Sequence, residues 1–164
     1  MHEHKERPMP HRYHLAQVNI ARARAPLDHP LMQDFVDQLA PINALAEASP
    51  GFVWRLQDEA GDATGIQAFA DPRIIVNLSL WESLEALRDY VYGGEHLSVL
   101  RRRKEWMEKL PGPSLALWWL PAGQLPTLAQ ARAALQRLAE HGPSAEAFSI
   151  ARPFPAPSAQ ALPA

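Results

Sequence analysis

The chain has 164 residues, of which 47% are hydrophobic and 21% are charged, and its formal net charge is −2. This is the composition of a folded globular domain, without the basic excess that is typical of nucleic-acid binders. The chain contains no cysteine, which excludes disulfides, thiolate nucleophiles and cysteine-ligated metal centres. No apolar run approaches the ~20 residues of a membrane-spanning helix. The first residues show no secretory signal, so we expect a cytoplasmic protein with no membrane or nucleic-acid partner.

Sixteen prolines separate the chain into elements and tails, because proline ends helices and cannot donate to a strand ladder. Residues 1–12 are predicted to be a disordered tail, and residues 153–164 a Pro/Ala-rich tail. One domain over residues 13–152 remains between them.

The elements follow in a simple order along this domain. Alternating or short apolar runs predict five strands: 13–21, 51–57, 74–81, 114–120 and 146–151. Helical spacing of apolar residues predicts helices over 31–48 (kinked or split at Pro41), 82–92, 95–110 and 127–140. The order matches the ferredoxin-like pattern βαββαβ, an α+β fold with an antiparallel sheet and helices on one face. A C-terminal helix and a short edge strand complete it.

The predicted strands present two different faces, because side chains alternate along a strand. One face is apolar, and we expect the helices to cover it: Ala16, Val18, Ile20, Phe52, Trp54, Leu56, Val76, Leu78 and Leu80. The opposite face mixes apolar and polar groups: Leu15, Gln17, Asn19, Val53, Arg55, Gln57, Ile75, Asn77, Ser79 and Trp81. Strand 114–120 is apolar on both faces and needs cover on both. We therefore predict a homodimer, in which a second copy covers the mixed face and encloses a barrel-like cavity.

Several long stretches resemble an uncharacterised bacterial domain family of the dimeric α/β barrel superfamily. They are YHLAQVN at 13–19, PGFVWRLQDEAG at 50–61, VNLSLWESLEALRDYVY at 76–92, RRRKEW at 101–106, LALWWLPAGQLPT at 115–127 and HGPSAEAFSI at 141–150. That superfamily includes cofactor-independent antibiotic-biosynthesis monooxygenases, haem-degrading monooxygenases and purely binding proteins. The resemblance implies the barrel fold without implying one reaction.

Polar residues of the mixed face form the candidate site. A buried polar group left unpaired costs ~1–3 kcal/mol, so these amides either bind a polar ligand or pair with one another. Arg55 is a lone strand cation that suits a carboxylate or phenolate, or else a neighbouring acidic residue. Trp118 and Trp119 point in opposite directions, and either one could line the cavity. In the basic run 101–104, we expect one inward residue, Arg103, on an otherwise solvated helix face.

The resemblance adds roles for three residues. Cofactor-independent members hold an aromatic substrate and oxygen with an Asn and a Trp of the barrel, and Asn77 and Trp81 resemble that pair. Haem-degrading members place an Asn on the first strand, a Trp on the third and an iron-binding His on the second helix. Asn19, Trp81 and His96 occupy those elements, although a Gly–Gly break separates His96 from the Trp.

The leading hypothesis is a monooxygenase-like enzyme that needs no cofactor and acts on an aromatic or polycyclic substrate. His96, or a water held by Asn77, is the predicted base. The predicted substrate contacts are Gln17, Asn19, Arg55, Ser79, Trp81, Arg103, Trp118 and Trp119. One alternative is a haem protein with His96 as the axial ligand. The other is a non-catalytic module that binds a small molecule in the same cavity.

Overall fold

The computed structural model describes residues 12–58, 61–94, 98 and 101–157. Its strands are β1 (Tyr13–Ala23), β2 (Phe52–Arg55), β3 (Ile74–Trp81), β4 (Met107–Glu108) and β5 (Leu115–Pro121). Its helices are α1 (Gln33–Ala48), α2 (Leu84–Val91), α3 (Arg103–Trp106) and α4 (Leu128–His141), and a 3₁₀ turn at Pro30–Met32 precedes α1. None of the helices in this part of the chain has the length and apolar character to span a bilayer.

The strands form one antiparallel sheet with β1 at its centre. The order is β2-β3-β1, and the other side of β1 pairs with both β5 and the short β4. In this register Gln17 lies opposite Ser79, and Asn19 lies opposite Asn77. This arrangement confirms the predicted α+β, ferredoxin-like fold.

Local chemistry explains where the helices begin and end. Ser83 caps α2, since its hydroxyl accepts a hydrogen bond from the Ala86 amide at 3.1 Å. Thr127 and Gln130 form a reciprocal capping box at the start of α4. Gly142, with φ of +73°, ends that helix in a conformation that favours glycine.

Two sequence predictions about the elements are wrong, and one alternative of a third is excluded. Of the predicted kink or split at Pro41, the split is absent, because α1 runs unbroken past this residue. Pro41 and Asp37 are both exposed, so water can satisfy the Asp37 carbonyl that loses its helical partner. The helix predicted to reach residue 110 ends at Trp106, because β1 extends to Ala23 and its edge pairs with β4. Residues 95–97 and 99–100 of that predicted helix lie outside the described residues.

The second wrong prediction is the strand over 146–151. Within it only Phe148 joins the sheet, through a single bridge to Leu117. Each of the two residues donates its amide to the other's carbonyl, at 2.8 and 2.9 Å. One bridge on the edge of β5 is enough to anchor the segment, and the chain leaves the sheet on either side.

The two faces of the sheet are divided largely as predicted, but helices of the same chain cover both of them. The apolar face packs against the small and aliphatic side chains of α4: Ala131, Ala134, Leu135 and Leu138. The mixed face packs against α1 and α2, through residues such as Ala46 and Leu87. Gln17, Ser79 and Trp81 of the mixed face are buried within a single chain, so this face does not need the second copy that was predicted to cover it. The homodimer stays a prediction, and its original premise, an uncovered sheet face, is wrong.

An irregularity in β2 also changes the predicted faces. The register of β2 shifts between Phe52 and Trp54. As a result Phe52 packs on the mixed-face side, edge-on to Trp81, while Trp54 packs against the core under α4. The strand begins just after Gly51, whose φ is +84° and where a side chain would collide with Ala86 of α2. Glycine therefore permits the close approach of β2 and α2.

Candidate functional site

A cavity of about 310 Å³ lies between the mixed face of the sheet and the helices α1 and α2. The helices supply an apolar wall: Phe35, Leu39, Ile42, Leu87 and Val91. The sheet supplies the polar residues that the sequence singled out: Gln17, Asn19, Arg55, Asn77, Ser79 and Trp81. An apolar cavity with a few convergent polar groups is the usual form of a small-molecule site.

Gln17 is the centre of the polar network on the cavity floor. Its Nε2 donates to Asn77 Oδ1 at 3.0 Å and to Ser79 Oγ at 2.8 Å. The Trp81 indole also donates to Ser79 Oγ, at 2.9 Å. Gln17 and Ser79 are nearly inaccessible, at 4% and 5% exposure, so these bonds satisfy groups that water cannot reach freely.

The direction of these bonds decides what the cavity offers to a ligand. Ser79 Oγ already accepts two hydrogen bonds, which leaves its O–H as a donor. Asn77 accepts from Gln17 through Oδ1, which leaves its NH₂ group as a donor. The Asn19 side chain makes no hydrogen bond to another described residue. Ser79 and Asn77 therefore offer donors on the floor, which suit a carbonyl or anionic oxygen, while Asn19 can donate or accept.

Arg55 and Tyr90 form the end of the cavity beside Trp81. The Arg55 guanidinium is largely buried and pairs with Glu47 of α1, Nε to Oε2, at 2.9 Å. The Tyr90 ring stacks on Trp81 with centroids 5.1 Å apart. Burial raises the pKa of Tyr90 to about 12, against the opposing effect of the Arg55 charge. Tyr90 is therefore neutral near pH 7 and acts as part of an aromatic wall.

Arg103 lines the opposite end of the cavity, as the sequence predicted. Its Nη2 donates to the Ile20 carbonyl at 3.4 Å. Burial lowers the pKa of its guanidinium, although arginine stays charged. The neighbouring Arg102 instead pairs outward, with Asp34 at 3.0 Å and with Glu105 at 2.9 Å. The basic run thus directs one cation inward while the rest of it faces solvent.

Two of the predicted site residues do not line this cavity, and a third is not described. His96 lies outside the described residues. Trp118 points into the core under α4. Trp119 lies on the other face, but it packs against Phe148, donates its indole N–H to the Phe154 carbonyl at 2.9 Å and lines a separate hollow of about 380 Å³.

Sequence reasoning did not single out several cavity residues, among them Trp106, Asp62, Thr64 and Asn43. Trp106 lies within the predicted helix 95–110, but the helix ends there and the Trp106 ring packs 5.7 Å from the Phe35 ring. Asp62 and Thr64 come from the long loop after β2, where no periodic pattern exists. Asn43 carried a weak signal, since it follows Ile42 on the apolar stripe of α1.

The described residues do not test the predicted haem ligand, His96. The described lining of the cavity includes no histidine. Among the described residues, no group of three or more His, Asp or Glu side chains could hold a metal ion. A haem or metal site would therefore depend on His96, and it remains a prediction from the resemblance.

The fold and the cavity define a ferredoxin-like α+β protein with a small-molecule-sized site between sheet and helices. Residues 14–163 match the family described as "Domain of unknown function (DUF3291)", and the chain belongs to this family. This confirms the resemblance to a domain family without an assigned reaction. No protein with a curated function matches the chain.

Solved structures with a similar fold come from several bacteria, all at low identity. Rv0793 from Mycobacterium tuberculosis is 14% identical, with 70% of this chain and 99% of that chain covered and a TM-score of 0.48. PA3566 from Pseudomonas aeruginosa is 15% identical, with 68% and 95% covered and a TM-score of 0.45. SnoaB, a cofactor-independent oxygenase from Streptomyces nogalater, is 16% identical, with 68% and 94% covered and a TM-score of 0.43.

Proposed function

We propose that this protein is a small-molecule enzyme, an oxygenase of the cofactor-independent type that acts on an aromatic or polycyclic substrate. One observation carries the proposal: the O–H of Ser79 and the NH₂ of Asn77 remain as donors on the floor of an apolar cavity. SnoaB, which has a similar fold, is a cofactor-independent oxygenase.

The chemistry that suits such a cavity starts with a ring CH₂ group conjugated to a carbonyl. Loss of one proton gives an enolate, which is electron-rich enough to reduce oxygen. Overall the CH₂ group and O₂ become a C=O group and water, so that the substrate supplies all the electrons. Donors fixed at the oxygen of the enolate stabilise the charge where it develops, and Asn77 and Ser79 are the donors available for it.

The aromatic end of the cavity holds the rings in this proposal. Trp81 and Tyr90 stack on each other, and Phe52 braces Trp81 edge-on at 5.5 Å. Tyr90 is not the base, since its pKa of about 12 lies far above neutral pH. The base remains the predicted His96 or a water held by Asn77.

A non-catalytic binding module is the second candidate, and one observation favours it. Among the described residues that line the cavity, no group is suited to remove a proton near pH 7. The Asp62 carboxylate faces its own loop, where it accepts from the Thr64 hydroxyl at 2.6 Å and from the Thr64 amide at 2.9 Å. A cavity of this kind can bind a ligand without transforming it.

Turnover of anthrone, a three-ring ketone with an activated CH₂ group, separates the two candidates. The enzyme is expected to consume one O₂ for each anthraquinone formed, faster than the reaction in buffer. Asn77→Leu is expected to slow turnover about 10²–10³-fold, the usual cost of removing one donor to a developing anion. Binding of anthrone without any acceleration would favour the binding module. A Soret band on haem addition that is lost in His96→Ala would favour the haem alternative instead.

A further inference from the structure

We propose that the ligand of this cavity is an aromatic carboxylate, with its carboxylate held by Arg103 and its rings lying toward Trp81. This inference rests on the proposed function only in taking the cavity as the ligand site. It adds the charge of the ligand and its orientation. The argument starts from Arg103 and then considers the other charges around it.

Arg103 has unused hydrogen-bonding capacity inside the cavity. A guanidinium carries five N–H donors, and one of them reaches the Ile20 carbonyl at a long 3.4 Å. No carboxylate of the described residues lies within ion-pairing distance of Arg103. Removal from water without a counter-charge is costly for a cation, and burial already lowers the pKa of this group. A bound anion would remove that cost.

The other charged residues of the cavity wall already have partners. Arg55 is paired with Glu47 at 2.9 Å. Asp62 accepts two hydrogen bonds from Thr64 and makes no ion pair with Arg103. Arg103 is therefore the one cation among the described lining residues without an acidic side chain beside it. The Arg103 end of the wall therefore carries a positive charge that no described carboxylate pairs with, while the Asp62 charge is directed to its own loop.

The neighbours of Arg103 extend this anion site. Its contact with the Ile20 carbonyl places the guanidinium next to Asn19 on β1, and Asn19 faces Asn77 across the strand pair. The free NH₂ group of Asn77 is a further donor at this end. From Asn77 to Trp81 the strand advances four residues, or ~13 Å, which is enough for a ligand of two or three fused rings. The cavity is thus cationic at one end and aromatic at the other.

A matched pair of probes tests the charge directly. The wild-type protein is titrated calorimetrically with 2-naphthoate and with the neutral isostere 2-naphthamide, both without oxygen. We expect the acid to bind about tenfold or more tightly than the amide, as one charge-assisted contact provides. In Arg103→Gln this preference should fall to less than about twofold. Arg101→Gln, which removes an exposed charge from the same run, should leave the preference unchanged.

A second variant protects the test against misfolding. Arg103→Lys keeps the charge and loses the planar fork, so it should bind the acid more weakly than wild type but still prefer it to the amide. Equal binding of acid and amide by the wild type overturns the proposal, as does binding of neither at millimolar concentration. A preference that survives in Arg103→Gln overturns it too.

These outcomes are separable from the fate of the proposed oxygenase. The titrations need no oxygen and no turnover, so acid binding that depends on Arg103 stands even if anthrone is never oxidised. Conversely, oxidation of neutral anthrone together with equal binding of the two naphthalene probes would support the oxygenase and reject the carboxylate.

Discussion

On β1 and β3, Val18 and Leu78 point toward α4, while Gln17 and Ser79, one residue away in each strand, point toward α1 and α2. The first face is closed by a helix whose inner side chains are alanine and leucine, which allow close packing. On the second face, the polar residues and the stacked Trp81 and Tyr90 border a space of about 310 Å³. The comparison indicates that one face only stabilises the fold, whereas the other also borders the cavity that we propose binds a ligand.

The largest expected effect on stability is on the apolar face. Leu78 is 1% exposed, so Leu78→Ala should leave a void and lower the free energy of unfolding by about 2–5 kcal/mol. Leu39→Ala is the matched control, because Leu39 already borders the cavity and is only half-buried. Leu39→Ala should lower the free energy of unfolding by clearly less than Leu78→Ala does. Urea denaturation measures both, and equal losses would remove the distinction between the faces.

Tyr90, which packs on the mixed face, should make the stability of the fold sensitive to alkaline pH. Its pKa is raised from the ordinary 10 to about 12 in the folded state. The contribution of neutral Tyr90 to the free energy of unfolding is therefore complete below about pH 10 and is lost as pH rises toward 12. A shift of two pKa units corresponds to about 2–3 kcal/mol in the free energy of unfolding. Denaturation across this pH range should show that the free energy of unfolding declines more steeply in the wild type than in Tyr90→Phe. A tyrosinate absorbance titration with every tyrosine near pKa 10 would contradict this.

Gln17 should connect stability with binding. Gln17→Leu removes both donated bonds and should cost about 1–3 kcal/mol, because Asn77 and Ser79 lose a buried partner. Gln17→Glu is nearly isosteric but only accepts, so it should draw the Ser79 and Asn77 donors away from the cavity. We expect it to weaken probe binding more than it weakens the fold, as denaturation and calorimetry would show. Unchanged binding in Gln17→Glu would mean that the direction of this network is irrelevant to the ligand.

The smallest expected effect on stability is at Asn77. This side chain is exposed to the cavity, so Asn77→Leu should change the free energy of unfolding by less than about 1 kcal/mol. Ligand binding or turnover should nevertheless be lost, since a donor at the site disappears. Denaturation and titration of the same preparation check both parts. A loss of 1–3 kcal/mol with intact binding would instead show that Asn77 is structural.

Several parts of the fold were predictable because their signals are local. The alternation in 13–21 and 74–81 identified β1 and β3, and Ser83 and Thr127, which cap α2 and α4, are residue types that commonly begin helices. Elements that depend on a distant partner were not predictable. β4 exists because an edge of β1 is free to pair with it, and Phe148 joins β5 through one bridge in place of a strand.

The candidate site divides in the same way. Period-two alternation was enough to place Gln17, Asn19, Asn77, Ser79 and Trp81 on one face, because side-chain direction along a strand is a property of the backbone. Which helices cover that face, and whether they leave a cavity, depends on how far α1, α2 and α4 approach the sheet. Those distances are set by side chains that are remote in sequence, such as Trp106 against Phe35 and Tyr90 on Trp81. The sequence by itself determined the chemistry of each face, and only the tertiary structure decided that the mixed face would lie under helices of its own chain.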